Sequence, residues 1–180
     1  GLSVLRRLRH HLGKKELTIV ADGLVMAKVR YCLPAFAAEA IRLQTSDPQS
    51  TQLQRIQVCQ NNMLRTLTGS HRRDRVRVAD MLASTGFLSV NQWASYSLLM
   101  EIWKARQFDV PYLNSLLDRR RNDERTLRSD TTNKLATSGY DSVALNCQNL
   151  WNLASEKFKK TNLLKVAKAE AKTLVKTLPI

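Results

Sequence analysis

The chain has 180 residues, of which 43 % are hydrophobic and 24 % are charged, a composition that excludes an intrinsically disordered tail and suits a single buried core. Lysine and arginine together number 29 and aspartate and glutamate 15, so the formal net charge is +14. This excess predicts a polyanionic partner, of which nucleic acid is the commonest.

The N-terminal segment predicts a helical hairpin followed by a break. Leucines recur at helical spacing from Leu2 to Leu12, Gly13 interrupts the pattern, and a second helix is predicted from Lys14 to about Arg30. Pro34 predicts the break, because proline disfavours helical geometry at the residue before it, Leu33.

Two helices are predicted in the middle of the chain, and each ends at a glycine. The first runs from Pro48 to about Thr68 and ends at Gly69. The second runs from about Asp74 to Thr85 and ends at Gly86. A cluster of arginines lies between them.

A third central helix is predicted to be the most buried of all. Ser89 and Gln92 have the spacing of a capping box, which opens this helix, and its pattern continues to about Arg106. One broad face, which we interpret as core, carries Trp93, Tyr96, Leu99, Met100 and Trp103.

The C-terminal part alternates helices with one polar segment. Pro111 starts a short helix that ends near Leu117, and the residues after it, DRRRNDERTLRSDTTNK, lack aromatics and predict a loop or partly disordered arm. Helices over about Ser142–Leu153 and Asn162–Thr177 close the chain. We therefore expect an all-α bundle of about seven to eight helices with a basic surface and one polar loop.

The last predicted helix has an apolar side and a lysine ridge. The apolar side carries Leu163, Ala167, Leu174 and Leu178. The ridge, within about 80° of arc, carries Lys165, Lys168, Lys172 and Lys176. A basic amphipathic helix can also bind anionic membranes, but alanines in place of bulky aromatics on the apolar side argue against it.

No catalytic or metal-binding constellation is evident. Asp22 is a lone carboxylate that we interpret as solvated, whereas two-metal polymerase chemistry needs at least two carboxylates. Cys32, Cys59 and Cys147 have neither metal nor disulfide spacing, so reduced thiols are expected. We therefore expect no metal, no cofactor and no enzymatic activity from this chain alone.

No apolar run approaches the roughly 18 residues of a membrane span, and the first residues lack the apolar centre of a signal peptide. A nuclear or cytoplasmic location, without a membrane partner, is therefore expected. The chain begins with Gly1 rather than Met, as an excised fragment of a longer protein would.

A series of landmarks follows in order between about Leu5 and Trp151: LRRL, RYCLPAF, LQRIQVCQNNMLRTLTG, RVADMLASTGFLSVNQWASYSLLMEIWKA, PYLNSLL, RTLRSD and CQNLWN. Together they resemble the C-terminal part of non-LTR (LINE-type) retrotransposon reverse transcriptases. Two features depart from the family: Phe36 stands where relatives often have tryptophan, and no cysteine-rich knuckle follows Trp151.

The resemblance implies the thumb and the helical region after it, with the catalytic aspartates in upstream domains. Residues 1–118 would form a thumb-like bundle, 119–138 a basic linker or loop, and 139–180 a C-terminal helical pair packed on the bundle. The chain would be a non-catalytic region that grips template RNA or template–primer duplex through the backbone of the nucleic acid. Its partners would be RNA, RNA–DNA hybrid or DNA and the upstream polymerase domains, with its oligomeric state left open.

The resemblance implies phosphate contacts at two helical arginines, the central arginine cluster and the basic loop, namely Arg55, Arg65, Arg72, Arg73, Arg75, Arg77, Arg119, Arg120, Arg121, Arg125 and Arg128. Charge geometry alone adds Lys165, Lys168, Lys172 and Lys176. Gln54, Gln57, Gln60 and Asn61 either contact sugars or face solvent.

Two other interpretations stay open. Each basic group, taken alone, is also typical of a solvated face. A protein-interaction or structural module, such as a domesticated retrotransposon remnant, would instead expose an apolar groove around Tyr31 to Phe36.

Overall fold

The computed structural model describes residues 1–31, 33–38, 41–44, 50–111, 114 and 142–180. Within these residues all regular secondary structure is helical and no strand occurs, which confirms the predicted all-α bundle. No helix in the same part of the chain is long and apolar enough to cross a membrane.

The predicted N-terminal hairpin is present, with an irregularity that the sequence did not indicate. Helix α1 spans Leu2–Leu8, and α2 spans Lys14–Ala21. A π-helical turn, Asp22–Met26, then joins α2 to α3, Ala27–Arg30, so that the helical path is continuous over the predicted range. Such turns insert an extra residue into a helix, which changes the face that the following residues present.

The break after α3 lies earlier than predicted. Tyr31 is extended, with ψ 124°, and Leu33 already belongs to the next helix, α4, Leu33–Ala37. The prediction that Leu33 is non-helical was therefore wrong. Pro34 lies in the first turn of α4, where its missing N–H would have had no helical partner.

Helix α5 spans Thr51–Thr68 and ends at Gly69, whose φ of 78° only glycine adopts without strain. The predicted start at Pro48 lies outside the described residues. A 3₁₀ turn, Arg72–Asp74, and Arg75 with φ 50° precede α6, Val78–Thr85. The predicted start of α6 at Asp74 was therefore too early, because a left-handed residue cannot continue a helix.

Helix α7, Val90–Gln107, is opened by the predicted capping box. Gln92 N–H donates to Ser89 Oγ at 3.2 Å, and Ser89 N–H donates to Gln92 Oε1 at 3.1 Å. Eleven residues of α7 are buried, compared with six residues of α5, a helix of the same length. This agrees with the prediction that α7 is the most buried helix. Of its aromatic and aliphatic face, Leu99, Met100 and Trp103 are buried, and Trp93 and Tyr96 pack against that core.

Three helices close the described chain where two were predicted: α8, Ser142–Leu153, α9, Glu156–Lys160, and α10, Leu164–Val175. Helix α9 is capped by Ser155 Oγ, which accepts from Phe158 N–H at 3.1 Å. The buried Phe158 ring meets Trp151 edge-on at 6.1 Å between centroids, which fixes α9 against α8.

The buried side of α10 agrees with the predicted one at Ala167, Leu174 and Leu178, but the prediction was wrong for Leu163. Leu163 is 66 % exposed because it precedes the helix in an extended conformation and so does not follow helical spacing. The buried residues are Ala167, Ala171, Val175 and Leu178. The small alanines let α10 lie close to α7, with which it makes its most extensive helix contact.

Buried side chains form two clusters. The first joins α1, α2, α5 and α6 through residues such as Leu5, Leu64 and Met81. The second joins α4, α7 and the three last helices through residues such as Leu99 and Phe158. Trp93 packs against both clusters. The C-terminal helices thus share a core with α7, while the predicted linker 119–138 lies outside the described residues.

Polar side chains bind the N-terminal end of α7 to distant segments. Gln57 Oε1 accepts from Val90 N–H at 2.9 Å, and Gln60 Nε2 donates to Leu88 O at 2.7 Å. Gln92 Nε2 donates to Leu178 O at 3.1 Å. The bond from Val90 N–H satisfies a donor that a helix start leaves without a partner. Together the three bonds attach α5 and the end of the chain to the start of α7.

Candidate nucleic-acid interface

Residues 71–77, which we call the arginine turn, connect α5 to α6. His71 N–H donates to Asp74 Oδ2 at 2.6 Å, and Asp74 N–H donates to His71 O at 3.2 Å. These two bonds close the turn on itself, so its shape does not depend on a partner. Its four arginines are all exposed: Arg72, Arg73, Arg75 and Arg77.

Two arginines of α5 lie on the side of the helix that the arginine turn touches. Arg72 Nη2 donates to Asn62 Oδ1 at 3.3 Å. At 100° per residue, Arg55, Asn62 and Arg65 share about 80° of arc, and Arg55 to Arg65 spans about 15 Å. We call Arg55, Asn62 and Arg65 the α5 stripe. Arg55 is exposed and Arg65 half-buried, so the stripe extends the row of cations from the turn.

Arg9, at the end of α1, joins this group from a distant part of the sequence. A Cβ atom at Gly69 would lie 2.9 Å from Arg9 Nη2, so the guanidinium rests against the glycine backbone. Gly69 therefore serves both the left-handed helix end and this close approach. No local pattern in the sequence indicates this contact.

The four predicted lysines are not brought into this group. Lys165, Lys168, Lys172 and Lys176 are exposed on α10, a helix that packs on α7 in the other core cluster. They span about 16 Å, as a separate ridge. The five predicted arginines of the basic loop lie outside the described residues: Arg119, Arg120, Arg121, Arg125 and Arg128.

Gln57 and Gln60 of α5 match neither predicted role. Gln60 is fully buried and Gln57 is half-buried, and both bind the start of α7. Gln57 Nε2 also donates to Asn61 Oδ1 at 2.9 Å. These side chains hold the fold and are not free to contact sugars. Gln54 alone of the four is exposed.

Asp22, predicted to be solvated, keeps 43 % of its side chain exposed and also binds Arg30. Asp22 Oδ2 lies 2.8 Å from Arg30 Nη2, and the Arg30 guanidinium stacks over the Trp93 ring at 4.8 Å. Trp93 meets Tyr96 edge-on at 5.4 Å, and burial raises the pKa of Tyr96 against an opposing effect of Lys104. Asp22 thus holds the π-helical turn against α7 and is not placed among other carboxylates.

No three His, Cys, Asp or Glu side chains converge as a metal site in the part of the chain that the structure describes. No family model, curated protein or solved structure matches the chain. The arginine turn, the α5 stripe and Arg9 therefore define the candidate interface.

Proposed function

We propose that the chain is a non-catalytic nucleic-acid-binding region of a retrotransposon RNA-directed DNA polymerase. It would grip template RNA or the template–primer duplex through the sugar–phosphate backbone. The observation that carries this proposal is the arginine turn, which presents four exposed guanidiniums on a backbone closed by its own hydrogen bonds.

Arginine is suited to this role because its planar guanidinium pairs with phosphate through two parallel hydrogen bonds. The only carboxylate of the turn, Asp74, accepts a bond from the turn's own backbone. With the α5 stripe and Arg9 beside them, the cations form an extended group rather than a site for one small anion. Phosphate contacts of this kind give affinity that depends on salt and little on base sequence.

The test is binding of the purified chain to matched labelled RNA, single-stranded DNA and RNA–DNA hybrid across a salt series. We expect submicromolar binding with a steep slope of log K against log salt concentration. Changing Arg72, Arg73, Arg75 and Arg77 to Ala should reduce that slope by about 3, at about 0.7–0.9 for each lost phosphate contact.

A matched control removes the same total charge from four scattered surface positions: Lys15→Ala, Lys28→Ala, Lys104→Ala and Lys160→Ala. This variant should weaken binding slightly and keep the wild-type slope, because scattered surface charges act only at long range. Two of them, Lys104 and Lys160, are already paired with Glu101 and Glu156. Equal slopes in the two quadruple variants would show that total charge, and not the arginine turn, governs binding.

A second candidate, a protein-interaction module, is favoured by exposed apolar side chains. Tyr31 is 78 % exposed at the end of α3, Ile19 is 72 % exposed on α2, and Phe108 is 76 % exposed after α7. In the predicted groove, however, Leu33 is buried, while the Phe36 side chain lies outside the described residues. Weak nucleic-acid binding, unchanged by the loss of the four arginines, would favour this candidate.

A further inference from the structure

A cleft of about 370 Å³ opens beside the arginine turn. It lies between the start of α2, the end of α5 and α6. Ser70, which directly precedes the turn, and Val76, which belongs to it, both line the cleft, so the turn forms one of its walls. Its volume is near the lower end of the roughly 300–1,000 Å³ of small-molecule pockets.

The floor of the cleft is apolar. It is formed by Leu67 and Met81, which are buried, and by Val76, which is half-buried. A flat apolar ring face would fit against such a floor, since extruded bases are held in pockets by apolar or aromatic side chains.

The rim of the cleft is polar, and its hydroxyl protons are already committed. Thr68 Oγ1 donates to Leu64 O at 3.0 Å, so the 2.9 Å bond between Thr68 Oγ1 and Ser70 Oγ uses the Ser70 proton. Ser84 Oγ donates to Met81 O at 3.0 Å. Ser70 and Ser84 therefore offer lone pairs to a ligand, as acceptors.

The charged groups at the rim select further among ligands. Asp80 adds carboxylate oxygens, which also accept, and Lys14 is the one cation among the lining residues. A free phosphate is disfavoured, because the Asp80 carboxylate would repel it. The Glu16 side chain also lies against Gly13, where an anion would otherwise meet the start of α2. A ligand with an apolar face and hydrogen-bond donors at its edge fits better.

We propose that this cleft takes one unpaired base of the strand held by the arginine turn, and that it prefers a base with an exocyclic amine. The inference rests on the proposed nucleic-acid function. The base lies on Leu67, Val76 and Met81, and its amine donates to the acceptors of the rim. The adjoining phosphates lie outside, toward Lys14 and the arginine turn. Uracil, which presents a carbonyl where cytosine has the amine, binds less well.

The experiment compares four RNA duplexes of one sequence: fully paired, or with a single bulged adenosine, bulged uridine or bulged abasic residue. The abasic bulge has the same backbone as the others, so its difference from the adenosine bulge measures the base alone. We expect the adenosine bulge to bind about five-fold or more tightly than the abasic bulge, with uridine between them.

A variant that fills the cleft tests whether the preference for the adenosine bulge arises there. Ser84→Leu should reduce the adenosine bulge to the affinity of the abasic bulge and leave the paired duplex unchanged. Ala83→Leu is the control, since Ala83 is an exposed neighbour on α6 that does not line the cleft. Thermal unfolding of both variants confirms that each is folded.

The outcomes separate this inference from the proposed function. Binding of all four duplexes with equal affinity overturns the base cleft and supports the backbone grip. A preference that persists in Ser84→Leu overturns the assignment to this cleft, and equal affinity for adenosine and uridine overturns the amine preference. Failure to bind any duplex overturns the proposed function itself.

Discussion

The backbone conformation of Arg75 lowers the stability of the fold, whereas its side chain is expected to strengthen binding to nucleic acid. Its φ of 50° places a non-glycine residue in the left-handed region, which costs roughly 1 kcal/mol or more. The same conformation ends the 3₁₀ turn and separates it from α6. Strain retained at an exposed arginine, in a turn that is already hydrogen-bonded, is consistent with a functional constraint on that position.

Replacing Arg75 with Gly should separate the two effects. We expect the free energy of unfolding to stay equal or rise by up to about 1 kcal/mol, because glycine adopts this conformation without strain. Binding to nucleic acid should weaken, with the salt slope reduced by about 0.7–0.9. Chemical denaturation and the salt series measure these two quantities.

Arg73→Gly is the matched control, since Arg73 lies in the same turn without a positive φ. It removes the same charge but should lower the free energy of unfolding by roughly 0.5–1 kcal/mol, because glycine is more flexible in the unfolded chain. Equal destabilisation of the two variants would contradict the strain at Arg75.

At the scale of elements, α9 and α10 are tied together by Glu170. Its carboxylate lies 2.8 Å from Lys157 Nζ and accepts from Ser155 Oγ at 3.1 Å. The hydrogen bond from Lys157, and then that from Ser155, lower the pKa of Glu170 below its ordinary value. The unfolded chain therefore binds a proton more readily than the folded one, and this contribution to stability is fully present above the ordinary pKa of a glutamate.

The tie should be lost as the pH falls through the lowered pKa of Glu170. Glu170→Gln keeps the size of the side chain but has no charge to protonate, so its free energy of unfolding should fall less than that of the wild type over this acid range. Lys157→Met should also reduce the pH dependence of the free energy of unfolding over this range, because it removes the main cause of the lowered pKa of Glu170. Denaturation at a series of pH values measures the free energy of unfolding. Parallel curves of this free energy against pH for wild type and Glu170→Gln would show that the Glu170 carboxylate does not stabilise the contact between α9 and α10.

The elements that the sequence predicted well carry local signals. Gly69 and Gly86 end helices in left-handed conformations, and Ser89 with Gln92 opens α7. Helix α9 was missed because five residues are too few to show a helical period, and Phe158 is its one large apolar residue. The start of α6 was misplaced because an arginine gives no signal for the left-handed region that Arg75 adopts.

Only those features of the candidate site that depend on charge and exposure alone could be predicted from the sequence. The four arginines of the arginine turn are exposed as their composition suggested. The contact between Arg9 and Gly69 and the cleft beside Val76 arise from packing between segments far apart in sequence, which no local pattern encodes. The polar residues on α5 were likewise predicted to contact sugars or face solvent, whereas the partners of Gln57 and Gln60 are 33 and 28 residues away.

At the scale of the whole molecule, α5 links the two core clusters. Leu64 and Leu67 belong to the first cluster, while Leu53 belongs to the second. Between them Gln60, fully buried, donates to Leu88 O and accepts from Gln57 Nε2 at 2.9 Å. The α5 stripe lies on this helix and the arginine turn follows it, so this bond helps to attach the candidate interface to the rest of the bundle.

Gln60→Leu should therefore act on stability and not on the nature of binding. The change leaves the Leu88 carbonyl and a Gln57 amide proton without these partners, which should lower the free energy of unfolding by about 1–3 kcal/mol. Gln54→Leu, at an exposed position of the same helix, should change it by less than about 0.5 kcal/mol. Where both variants are folded, the salt slope of RNA binding should equal that of the wild type. A reduced slope or affinity in a stable Gln60→Leu protein would instead mean that Gln60 contacts the nucleic acid, and the buried bond to Leu88 would then have to open on binding.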